Sequence, residues 1–92
     1  MQTAAPLVYG QQGSIGATAL QLTMGGKRLN NGVRIKALAA NTHKVYVGDS
    51  AVTTANGFEL SAGNSEFFPV NDASMLYVVS AGTGDAVCFE GS

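Results

Sequence analysis

The chain has 92 residues, 46 % of them apolar and only 12 % charged, with a formal net charge of −1; this describes one small domain carrying about half the charge of an ordinary soluble one. A single cysteine, Cys88, excludes an intrachain disulfide, and a single histidine, His43, excludes a multi-histidine metal site within the chain. Of the usual reinforcements for so small a core, oligomerisation or docking onto a larger assembly is left, and sparse charge suits a surface that meets other protein.

Residues 1–16 read as an extended N-terminal arm, with Pro6, Gly10, Gly13 and Gly16 around one short apolar run, Leu7-Val8-Tyr9. Such an arm suits strand addition to a sheet edge, its own or a neighbour's. Residues 17–92 read as a single β-domain. Residues 17–22 alternate as a first strand, ended by Gly25-Gly26, and Asn30-Asn31-Gly32 has the chemistry of a turn. Val33-Arg34-Ile35-Lys36-Ala37 alternates cleanly and places Arg34 and Lys36 side by side on the face away from the core. Helical propensity competes over residues 34–40, but Asn41-Thr42 cuts that run too short for a stable helix. Short apolar runs follow at 44–47, 58–60, 66–70, 75–79 and 86–89, each separated by a Gly-, Asn- or Asp-bearing turn. Pro69 cannot donate to a ladder, so its strand is expected at an edge or a bulge. This spacing predicts an all-β fold, a small antiparallel β-sandwich or jelly-roll-like barrel.

No residue pattern selects a catalytic, cofactor or metal site. Cys88 lies within Val87-Cys88-Phe89 and reads as a buried small hydrophobe, and His43 reads as a solvated turn residue. Ser50, His43 and Asp49 assemble a triad on paper, but nothing in their spacing favours it. Glu59 and Glu66 each neighbour a phenylalanine in an alternating run and read as outward-facing strand residues rather than an acid–base pair. Gly82-Thr83-Gly84-Asp85 reads as a hairpin turn and lacks the lysine and following helix of a phosphate loop. The chain is therefore expected not to be an enzyme and to need no cofactor.

All five basic residues lie between positions 27 and 44 (Lys27, Arg28, Arg34, Lys36, Lys44), and all six acids follow them. This segregation allows either pairing within the molecule or a basic face that meets an acidic one on a neighbour. A sequence pI near 5.6 argues against a nucleic-acid partner. No apolar run approaches the length of a membrane span, and Met1–Pro6 lacks the basic start and apolar run of a signal peptide, so synthesis in a cytoplasm is expected. The residues singled out for partner contact are Leu7, Val8 and Tyr9 of the arm, with Arg34 and Lys36.

The segment from Asn31 to Gly91 has a distinctive cadence. Gly32-Val33-Arg34-Ile35-Lys36-Ala37-Leu38 leads to Val45-Tyr46-Val47-Gly48, then Asn56-Gly57-Phe58-Glu59-Leu60, Ala62-Gly63-Asn64-Ser65, Leu76-Tyr77-Val78 and Val87-Cys88-Phe89. In this it resembles small tailed-bacteriophage virion structural proteins of the capsid decoration or cement kind. The resemblance implies a β-sandwich seated as a homotrimer on the major capsid protein at the surface of the virion, after synthesis in the host cytoplasm. It carries no catalytic motif. A tail- or fibre-associated module presenting residues 49–56 to a host receptor is the alternative.

Overall fold

The computed structural model describes residues 8–22 and 31–92 and contains eight strands in that span. They are β1 (Val8–Ile15), β2 (Leu20–Gln21), β3 (Val33–Ala37), β4 (Val45–Gly48), β5 (Phe58–Leu60), β6 (Ser65–Phe68), β7 (Tyr77–Ser80) and β8 (Asp85–Gly91). One sheet has the order β1-β8-β3-β6 and the other β2-β7-β4-β5, with every pairing antiparallel. Strands thus pass from sheet to sheet in the order of an eight-stranded jelly roll, a β-sandwich as expected from the spacing of the turns.

Alternation decides which faces meet. In β3, Val33, Ile35 and Ala37 are buried while Arg34 and Lys36 are exposed. In β8, Asp85, Val87 and Phe89 point inward on the same rule. Opposite them Val45, Val47, Leu60 and Val78 complete a core rich in valine, joined by Ile15, Leu22 and Leu76. Such β-branched side chains suit a pleated interior. Between β5 and β6 the open flank of the sandwich is closed by Phe58 and Phe68, whose rings meet edge to face at 5.9 Å.

Residues 8–15 occupy the edge of their own sheet. β1 pairs with β8 from Val8 opposite Gly91 to Gln12 opposite Val87, and Ile15 at its end is wholly buried. Two residues, Gly13 and Ser14, oppose the single Ala86, forming a β-bulge in which Ser14 adopts φ of 58°. Leu7 lies outside the described residues, as do Lys27 and Arg28.

Three local expectations differ from the structure. Of residues 17–22 only Leu20-Gln21 pair, because 17–18 bend as the chain crosses between sheets. Met75 belongs to a 3₁₀ turn (Ala73–Met75) nucleated by Asp72, whose carboxylate accepts the Ser74 amide at 2.9 Å. Residues 81–84 do not close a hairpin: β7 and β8 lie in different sheets, so this turn bridges the sandwich. β6 is an edge strand ending at Phe68, directly before Pro69, in keeping with the missing amide.

Candidate functional site: an open sheet face

The antiparallel register of the β1-β8-β3-β6 sheet aligns its outward side chains in rows across the strands. One row runs Tyr9, Glu90, Arg34, Phe67 and the next Gln11, Cys88, Lys36, Ser65. All of these but Phe67 line a groove of about 550 Å³ on the outside of the sheet, bordered by Tyr9, Arg34, Lys36, Cys88 and Glu90. Tyr9 is 75 % exposed and Phe67 45 %, the latter with its ring laid over Gly32, where φ of +97° and the missing Cβ let the ring approach. Between the aromatics Arg34 Nε lies 3.9 Å from Glu90 Oε2.

Tyr9, Arg34 and Lys36 therefore share one face, although Tyr9 is 25 residues from Arg34 in sequence, because β8 pairs with both β1 and β3. Val8 begins β1 opposite Gly91. Cys88 corrects the sequence expectation: it is half-buried on the outer face of the sheet, between Gln11 and Lys36 in register, rather than in the core. Glu90, Phe67 and Gln11 escaped notice in the sequence. The signal that could have found Glu90 is the inward period Asp85, Val87, Phe89, which turns Ala86, Cys88 and Glu90 outward.

A second polar cluster lies at the end of the sandwich where residues 38–44 meet residues 81–84. Asp85 is buried at the start of β8. Its Oδ2 accepts the Ser80 hydroxyl at 2.5 Å and lies 3.1 Å from His43 Nδ1, while Oδ1 accepts the Thr42 amide at 3.1 Å. Burial pushes the carboxyl up, but the hydrogen bonds from Ser80, Thr42 and His43 outweigh it and hold Asp85 below the ordinary aspartate range. Beside it the Asn41 amide both donates to the Ala86 carbonyl at 2.8 Å and accepts the Ala86 amide at 2.9 Å, standing in for a neighbouring strand. A nucleophile relay needs the hydroxyl on the ring nitrogen that the acid leaves free. Here the wholly buried Ser80 hydroxyl bonds the acid itself, and the Thr42 hydroxyl lies 3.0 Å from Nδ1, the same ring nitrogen that faces Asp85. His43 thus takes Asp85 as its partner, not Asp49, and the cluster fastens two loops together.

The β4–β5 loop spends its polar groups on itself. Asp49 Oδ1 accepts the Ala51 amide at 2.9 Å, Asn56 Oδ1 accepts the Thr53 amide at 2.7 Å, and Val52 is buried beneath, leaving a groove of about 270 Å³. The segregated charges pair partly within the molecule: Arg34 with Glu90, and Lys44 with Glu59, whose hydrogen bond and charge raise the lysine pKa. Among the described residues Lys36 makes no ion pair, no three His, Cys, Asp or Glu side chains gather to hold a metal, and no helix is long and apolar enough to cross a membrane. No protein-family model, curated protein or solved structure matches the chain.

Proposed function

We propose that the chain is a non-enzymatic virion structural subunit, a capsid decoration or cement protein that stabilises the major capsid lattice by protein–protein contact. The observation that carries this reading is the open face of the β1-β8-β3-β6 sheet, with Tyr9 and Phe67 exposed at its two ends and Arg34 and Lys36 between. Large exposed aromatics beside arginine are the residue types that anchor protein contacts. The jelly-roll sandwich and the tailed-phage cadence of residues 31–91 support the same reading. The partners are the major capsid protein and further copies of the chain.

The test is co-sedimentation with tailed-phage shells. The full chain is expected to pellet with shells, and Tyr9→Ala combined with Phe67→Ala to weaken pelleting at least about thirtyfold, as two aromatic anchors of about 1–2 kcal/mol each would give. Undiminished pelleting of the double variant, or none by the parent, refutes the reading. In the rival reading, a tail- or fibre-associated receptor-binding module, contact falls to the β4–β5 loop, whose Asp49 and Asn56 already bond their own backbone. Label at the tail tip rather than over the shell in electron microscopy would favour it.

A further inference from the structure

The open face has a symmetry of its own. Across the four strands its main row reads aromatic, acid, base, aromatic: Tyr9, Glu90, Arg34, Phe67. We propose that a second copy of the chain docks on this face, sheet against sheet, about a two-fold axis that runs along the strands between β8 and β3. This rests on the reading of the face as a protein contact and names its occupant in the chain free of a shell: a two-fold pair, where the resemblance implies a trimer, for which a shell would compete.

A two-fold axis lying in a face-to-face contact has two simple orientations. An axis along the strands reverses the order across the sheet and keeps each row in place. Tyr9 then meets the second copy's Phe67, and Glu90 meets the second copy's Arg34. Each contact occurs twice, so the single ion pair of the monomer becomes an alternating ring of four charges. An axis across the strands would lay this row on the next one and bring Arg34 over the second copy's Lys36. Like charges in contact select against that arrangement. The palindrome of charge and ring thus fits one orientation of one partner.

The size of the face sets the strength. Four strands about 4.8 Å apart give a width of about 19 Å, and a seven-residue strand spans roughly 23 Å. Such a contact buries less than about 1,000 Å² over the two copies, short of a standard interface, so the dimer is weak and forms and dissociates with concentration. Cys88 sits in the adjacent row near the proposed axis, half-buried, and is the only thiol of the chain. Its reactivity reports whether the face is covered.

Sedimentation of the full chain tests the proposal. The mass is expected to rise from 9.4 kDa toward twice that value with concentration, while reaction of Cys88 with a small maleimide slows in parallel. Arg34→Glu and Glu90→Arg should each weaken self-association at least about tenfold, because each opposes like charges across the axis. Mixed in equal amounts, the two variants should associate, since one face then carries two acids and the other two bases. A purely intrachain role for the Arg34–Glu90 pair predicts no such recovery, for the pair stays broken in both variants. A parent that keeps a mass of 9.4 kDa at every soluble concentration, single variants that associate undiminished, or a mixture that stays monomeric each overturns the proposal. If the parent stays monomeric yet pellets with shells through Tyr9 and Phe67, the dimer falls and the proposed function stands. If it does neither, both fall.

Discussion

At Gly82 a Cβ would overlap the imidazole of His43, which lies flat against the backbone there. The ring is partly exposed, so in Gly82→Ala it can swing outward, but only by leaving Asp85. The expected loss is that of one hydrogen bond to a charged group, about 1.5–3 kcal/mol. In a His43→Ala background the same substitution should cost only a few tenths, because nothing is left to displace. A urea-unfolding double-mutant cycle reads this coupling, and additive losses would show that the ring does not link the two positions. Asp85 adds a pH dependence whose sign follows from its lowered pKa. A carboxyl held below its unfolded value near 3.8 stabilises the fold above that pH. That contribution is lost as pH falls through the folded value. Asp85→Asn should therefore lower the melting temperature at pH 7, and the gap between variant and parent should narrow as pH is taken from about 5 to about 2. A gap independent of pH would mean that the carboxylate charge contributes nothing.

β1 and β8 show which elements a sequence declares. β3 and β5 coincide with their predicted runs because strict alternation bounded by turn residues leaves little freedom. β1 reads as an arm because Gly10-Gln11-Gln12-Gly13 has no apolar alternation to recognise. Its inward position at Gly10 is instead filled from β8: the Phe89 ring lies where a Cβ would meet it at 3.1 Å. A strand whose core contribution is supplied by its neighbour leaves no local signal, and the pairing spans nearly the whole chain. The same long-range pairing hid the shared face of Tyr9 and Arg34, while the Asp85 cluster escaped because its members come from three separate segments. Since β1 supplies five consecutive partners to β8 from Val8 to Gln12, deletion of residues 1–12 should do more than remove a surface contact. It leaves a β8 edge unpaired and uncovers Phe89, so the melting temperature should fall by several degrees, about 4–8 °C per kcal/mol lost for a domain of this size. An unchanged melting curve for the truncated chain would show that β1 only rests against the sheet.

A contact of this small extent has consequences only where copies are concentrated. In dilute solution the dimer would be scarce; where copies are concentrated the weak two-fold contact covers the face reversibly, and any other partner that takes the same face would displace the second copy. That suits a subunit with few charges, which risks indiscriminate association unless its contacts are selective. The alternating acids and bases across the axis supply such selectivity, and they are open to solvent in the monomer: Arg34 and Glu90 are each about half exposed. Association should accordingly weaken as salt shortens the reach of these charges. It should also couple to folding, because only the folded chain presents the row. By mass action the melting temperature of the parent should rise with protein concentration at low salt, and rise less at about 1 M salt. The Arg34→Glu variant should melt at one temperature throughout a concentration series. A parent whose melting temperature is equally fixed would remove the link between this face and stability, whatever else the face binds.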